Sequence, residues 1–229
     1  MQLEQMLFSQ GFGTRYECRV LIEQGRVVFD GKRLESAQAE INPEGKWYCV
    51  DGKSWPYVEK AVLMLNKPAD FECSAKPKSY PSVLSLLPPQ LRRRGVQPVG
   101  RLDADATGLL LLTDDGMLNH RLTHPKHHVE KTYRVGVKHF VSDLLVERLL
   151  SGVMLRDEDQ CLKAIRCEAL SEREISMTIS SGKYHQVKRM VAAAGNRVVS
   201  LHRESFGGLT MPSDLLPGTW TWVFDFAGR

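Results

Sequence analysis

The chain has 229 residues, 42% hydrophobic and 25% charged, with a formal net charge of +4. That length can bury a sizeable core in one large or two smaller domains, and no apolar run approaches the ~20 residues a membrane-spanning helix needs. The N-terminus carries no charged-then-apolar leader pattern. Five cysteines, an odd number without a CxxC pair, point to free thiols in a reducing, cytoplasmic setting.

In chain order, Leu3, Met6 and Leu7 fall at helical spacing, as do Cys18, Leu21 and Ile22, and Gly25 ends the second helix. Residues 26–29 then read as a strand closed by an Asp30-Gly31 turn. Residues 1–45 thus form a small module. The polar stretch 46–59, with Gly52 and Pro56, reads as a linker. A larger domain spans 60–229, with strands expected at 61–65, 108–113, 131–137, 175–180 and 197–201. Its helices are expected at 142–150, led by a serine cap, and at 184–194, stopped by Gly195. Strands and helices do not alternate strictly. The fold class is therefore α+β, a central mixed, largely antiparallel sheet with flanking helices, plus the small N-terminal domain.

The charge is unevenly spread. Residues 1–60 hold 8 Lys/Arg against 9 Asp/Glu, so the positive excess lies beyond them. Between Cys73 and Leu102 there is no acid, while Lys76, Lys78, Arg92, Arg93, Arg94 and Arg101 are basic. A second acid-free tract, from Ile175 to Arg203, carries Lys183, Lys188, Arg189, Arg197 and Arg203. Two such tracts suit a polyanion, and both adjoin the motifs below, which favours a nucleic-acid track over a merely solvated surface. In the first module Arg15, Arg19 and Arg26 are placed to form one local basic patch, although residues 1–45 total 5 basic against 7 acidic.

The most informative stretch is Gly100 to Gly116, GRLDADATGLLLLTDDG. It sets Asp103 after an arginine and just before an apolar strand, a setting that suits a nucleophile or base held in place by the strand. By spacing alone, the favoured reading is that Asp103 and Asp105 are loop caps bonding the backbone. A glycosidase carboxylate pair is disfavoured by the basic surroundings and the lack of an aromatic sugar platform. In the 184–194 helix, Val187, Met190, Val191 and Ala194 make one core-facing stripe, and His185, Lys188 and Arg189 share a neighbouring face. Those cations could hold a phosphate or a carboxylate, or simply form a solvated edge. His120, His124, His127 and His128 fit no zinc spacing and read as a border of a nucleic-acid cleft.

Four ordered motifs carry a resemblance that spans essentially the whole chain: VLMLNKP (62–68), GRLDADATGLLLLTDDG (100–116), EKTY (130–133) and SGKYHQVKRM (181–190). They resemble the signature of the RsuA-type pseudouridine synthases, and their order and the chain length are most similar to the small-subunit ribosomal branch. The resemblance implies the pseudouridine synthase fold, with an active-site cleft across the sheet. Residues 1–45 resemble the alpha-L RNA-binding module of the ribosomal protein S-four type.

The resemblance also implies roles. Asp103 is the catalytic carboxylate, Lys188 its paired cation with Arg189 as the fallback, and Tyr133 stacks on the target base. Arg101 fills the space left by the flipped nucleotide, Asn66 and Lys67 shape the cleft floor, and Leu201 is an apolar wall. The implied activity is isomerisation of uridine to pseudouridine in ribosomal RNA, 16S foremost, by a monomer without cofactor or metal. A flipped-out base is needed because uracil in a helix cannot be reached. The competing readings are a 23S rRNA synthase and a non-catalytic RNA-binding assembly factor. The absence of a long basic tail after Pro217-Gly218 favours the 16S target.

Overall fold

The computed structural model describes residues 1–224 and 226. The chain divides into two compact units, residues 1–61 with 87–97, and residues 62–86 with those from 98 onward. In the first unit, helix α1 (Leu3–Ser9) precedes α2 (Arg15–Glu23). Helix α2 starts where Thr14 accepts from the Glu17 amide and the Glu17 carboxylate accepts from the Thr14 amide, a reciprocal cap. Strands β1 (Val27–Phe29), β2 (Lys32–Arg33), β3 (Trp47–Val50) and β4 (Lys53–Pro56) form an antiparallel sheet in the order β2-β1-β3-β4. Helix α3 (Pro89–Arg93) also belongs to this unit.

The expected linker at 46–59 is therefore corrected: most of it is the β3–β4 hairpin. Asp51 and Gly52 both adopt positive φ (53° and 77°), which suits a tight two-residue hairpin turn. Tyr48, Val50 and Trp55 are buried, and Phe12 meets the Tyr48 and Trp55 rings edge-on at 5.7 and 5.4 Å. Lys53 and Ser54 are exposed and share the hairpin with those apolar residues, so half of the strand's residues made the whole stretch look polar.

The second unit carries β5 (Val62–Lys67), the two-residue β6 (Gln97–Pro98) at its border, β7 (Thr107–Thr113), α4 (Gly116–Thr123) and β8 (Lys131–Val137). There follow α5 (Asp143–Ser151), β9 (Arg166–Ser171), β10 (Glu174–Ile179), α6 (Gln186–Ala193), β11 (Val198–Phe206), β12 (Leu209–Thr210) and β13 (Trp220–Trp222). The main sheet runs β13-β5-β7-β11-β8-β10-β9. Only the β7–β11 pairing along that path is parallel, so the sheet is mixed and largely antiparallel, as expected.

Strands β5 and β7 are central and buried almost throughout, which explains their unbroken apolar runs. Leu109, Leu111, Met64, Val99, Leu118, Leu122 and Phe206 form one core cluster. Each fully buried side chain of this size contributes about 1.5–3 kcal/mol. Gly108 sits where β7 runs beside β11, with φ +102°, and a Cβ there would lie 2.3 Å from the Arg203 carbonyl oxygen. Only glycine lets the two backbones approach so closely. Ser142 caps α5 by accepting from Leu145, as expected, and α6 buries the stripe Val187, Met190 and Val191. No helix among the described residues is long and apolar enough to cross a membrane.

Candidate active site

Asp103 lies in the loop that leads into β7, and that loop is braced from below. Lys67, at the end of β5, is fully buried and donates its Nζ to the carbonyls of Pro68 (3.0 Å), Ala104 (2.9 Å) and Ala106 (2.7 Å). The Asp70 amide donates to Ala104 (2.8 Å), and the Ala106 amide closes a turn on the Asp103 carbonyl (3.1 Å). Burial lowers the Lys67 pKa, while Asp105, Asp103 and Asp70 nearby act in the opposite sense. Asp103 is thus fixed by backbone bonds that its own side chain does not make.

The carboxylate meets the start of α6. Lys188 Nζ lies 2.9 Å from Asp103 Oδ2 and 2.7 Å from Asp105 Oδ1, and His185 Nε2 lies 3.4 Å from Asp103 Oδ1. Burial works against the Lys188 charge, but hydrogen bonds to Asp105 and Asp103 outweigh it and raise the Lys188 pKa. The bond from Lys188 lowers the Asp105 pKa. Asp105, read from sequence as a loop-shaping residue, is therefore also an ion-pair partner.

His185 holds a left-handed conformation (φ 47°) as the N-cap of α6, so that helix begins at Gln186 rather than at Tyr184. Gln186 is buried and its Oε1 accepts from Ser181 Oγ (2.9 Å) and from the Lys183 amide (3.0 Å), which fastens the preceding loop to the helix.

A cleft of about 470 Å³, within the range of small-ligand sites, opens beside Asp103. Arg101, Asp103, His124, Tyr133, Lys183, Leu201 and Arg203 line it, so seven candidates named from sequence converge here. Tyr133 and Arg203 are direct cross-strand partners on β8 and β11, and Lys131 and Leu201 lie two residues from them on the same faces.

Other expectations are corrected. Asn66 and Lys67 do not line this cleft: Asn66 donates to the Leu215 carbonyl (2.7 Å) beside a separate depression, and Lys67 is the buried brace. Arg203, expected on a basic surface, is 1% exposed. Arg94 donates to Gln10 Oε1 (2.7 Å) and to the carbonyls of Val58 (3.1 Å) and Glu59 (3.0 Å), so it holds its own unit together. Arg19 donates twice to Glu4 Oε2 (3.1 Å each), Arg15 lies 3.7 Å from Glu4 Oε1, and Arg26 pairs with Asp51 (2.5 and 2.7 Å). Lys183 pairs with Glu158, and Arg189 pairs with Asp157 rather than with Asp103. Lys76, Lys78, Arg92, Arg93 and Arg101 are exposed.

A family model described as RNA pseudouridylate synthase matches residues 61–193. This chain belongs to that family. It is 38% identical over 220 residues to the ribosomal small subunit pseudouridine synthase A of Yersinia pestis, covering 96% of this chain and 93% of the relative. It is 39% identical over 223 residues to the protein of the same name from Escherichia coli strain K12, covering 96% and 95%. A solved crystal structure of a pseudouridylate synthase superposes with a TM-score of 0.68 at 34% identity, covering 98% of this chain and 96% of that one.

Sequence reasoning missed two residues of this pseudouridylate synthase's cleft. Lys131 lines it with Nζ 2.6 Å from the Val129 carbonyl, and burial, aided by Arg203, lowers its pKa to about 8. Phe206 lines it as well. His124, read from sequence as a cleft border, does line the cleft, and its ring packs between those of His120 and His127 at 5.0 and 5.8 Å. Among the described residues no group of three or more His, Cys, Asp or Glu is placed to hold a metal ion. The EKTY motif contained the signal for Lys131: a lysine two residues from Tyr133 on one strand must share its face.

Proposed function

We propose that this synthase converts uridine to pseudouridine in RNA of the small ribosomal subunit, with Asp103 as the carboxylate that acts on the ribose. The observation that carries this reading is a carboxylate fixed by a braced loop, ion-paired to Lys188 at 2.9 Å, at the edge of a cleft that also holds Tyr133. The relatives' names supply the class of RNA.

The reaction detaches uracil from C1′, turns it within the site and rejoins it through C5. It needs a group that attacks or deprotonates the sugar, a pocket that keeps the free base, and exclusion of water. Asp103 provides the first. The apolar wall of Leu201, Val187 and Ile179, with Tyr133 as a stacking surface, provides the second and third. Lys188 keeps the carboxylate oriented through a charge-assisted bond. The exposed Arg101, Lys76 and Lys78 contact phosphates.

The test is pseudouridine mapping of small- and large-subunit ribosomal RNA from cells with and without the gene. Loss of a small-subunit site, restored by the wild-type gene, supports the reading. A lost site in the large-subunit RNA would move the target, and no lost site in either would favour an RNA-binding assembly role.

A further inference from the structure

Arg203 is the most deeply buried cation of the cleft, and it is only partly used. Its Nε donates to the Leu109 carbonyl (2.7 Å), its guanidinium lies 4.9 Å from the Phe206 ring centroid, and its Nη2 has no hydrogen-bond partner among the described residues. Lys131 Nζ lies 5.6 Å from the same ring. Asp103, the carboxylate of this cleft, is already paired with Lys188 and His185. Two cations thus share one ring in an apolar setting without a carboxylate of their own among the described residues. A buried cation with an unspent donor is costly. That cost is offset when a ligand brings negative charge to the donor.

We infer that Arg203 Nη2, with Lys131 beside it, binds a carbonyl oxygen of the flipped uracil and takes up the negative charge the base acquires when its glycosidic bond breaks. This inference rests on the pseudouridine-forming reading above. When the C1′–N1 bond breaks, its electron pair stays with uracil, whose charge spreads over N1 and the two carbonyl oxygens. The base then forms the C5–C1′ bond, loses the C5 proton and regains one at N1. Nothing is oxidised or reduced. The neighbours of Arg203 fit a base better than a phosphate: Tyr133 is its cross-strand partner, and Phe206 and Leu201 flank it on β11. Arg203 is thereby a substrate-contacting residue rather than one of the phosphate anchors its place in a basic tract suggested.

The test compares Arg203→Met and Arg203→Lys with wild type in single-turnover reactions. The RNA carries uridine or 5-fluorouridine at the target position, and rearrangement of the glycosidic bond is read by nuclease digestion and chromatography. Fluorine makes uracil a better-stabilised anion, which needs less help from the protein. R203M is expected to slow uridine at least about 100-fold, the loss typical of removing one oxyanion donor. Its defect on 5-fluorouridine should be at least about tenfold smaller, and R203K should retain more activity than R203M. Should R203M fail to fold, Lys131→Met, which gives up the bond to Val129 and the contact with the Phe206 ring, must show the same selective defect. Equal defects on the two bases, or weaker RNA binding with an unchanged single-turnover rate as a phosphate contact would give, would overturn the inference. A wild-type enzyme inactive on uridine would instead overturn the function proposed above.

Discussion

In the first unit Arg19 closes on Glu4, Arg26 on Asp51 and Arg94 on Gln10 and two carbonyls. In the second, Lys188 bridges two carboxylates at the mouth of a cleft, and Arg203 keeps inside it a donor with no partner among the described residues. Both units carry cations that sequence alone would assign to RNA. In the first, Arg15, Arg19, Arg26 and Arg94 are satisfied by the protein itself, while Arg92 and Arg93 are exposed. In the second they are arranged around a space. Net charge says where a polyanion is attracted, but only the partners reveal which cations are still available to a substrate.

That contrast can be broken or sharpened by substitution. The largest stability effect is expected at Lys67, where Lys67→Met leaves the carbonyls of Pro68, Ala104 and Ala106 without their donor. Chemical denaturation should show a loss of about 2–5 kcal/mol, with activity falling as the Asp103 loop loosens. A loss below about 1 kcal/mol would mean that the brace is dispensable.

Lys188→Met comes next. It should lower the single-turnover rate by about 100-fold or more while leaving the melting temperature nearly unchanged, because Lys188 is only part-buried. A rate within threefold of wild type would separate the ion pair from the chemistry.

A pH profile sharpens the role of Lys131. Its pKa of about 8 lies below the ordinary lysine value, so its charge is lost as pH rises through about 8. The rate should decline on the alkaline side with a limb near that value, and Lys131→Met should lack the limb. Stability moves the other way, because between about 8 and the ordinary lysine range the unfolded chain binds the proton that the native protein has released. The native protein therefore gains stability as pH rises across that window.

The smallest effect belongs to the first unit. Arg19→Ala removes a part-buried pair with Glu4, which keeps Arg15 as a neighbour, and should change stability by about 1 kcal/mol. RNA affinity should barely move, since that guanidinium is already engaged. A large loss of affinity would show that the pair opens to admit RNA.

Much of the fold was legible in the residues. The strand at residues 131–137 has the observed bounds, the Ser142 cap is where its position after a loop implied, and the α6 stripe follows the 3.6-residue period. The β3–β4 hairpin was not legible, because Lys53 and Ser54 on its exposed side hid the apolar alternation that buries Tyr48 and Trp55. At the site, Asp103 and Lys188 came from motif resemblance. No local pattern shows that residues 85 positions apart will meet, and spacing alone favoured Asp103 as a loop cap. Arg203 was misplaced because a cation in an acid-free tract looks solvent-facing until the strand that carries it turns out to be central, and Lys67 because the motif resemblance put on the cleft floor an ammonium that is buried and spent on three carbonyls.

The central claim is that Asp103, not Asp105, is the carboxylate that acts, although Lys188 touches both. The direct measurement is the pseudouridine yield at the target site in ribosomal RNA from cells whose only copy of the gene encodes Asp103→Asn or Asp105→Asn, with each purified protein checked for folding and RNA binding. The expected result is no detectable pseudouridine with D103N, despite normal folding and binding, and substantial yield with D105N. Pseudouridine formed by D103N, or lost only in D105N, would contradict it.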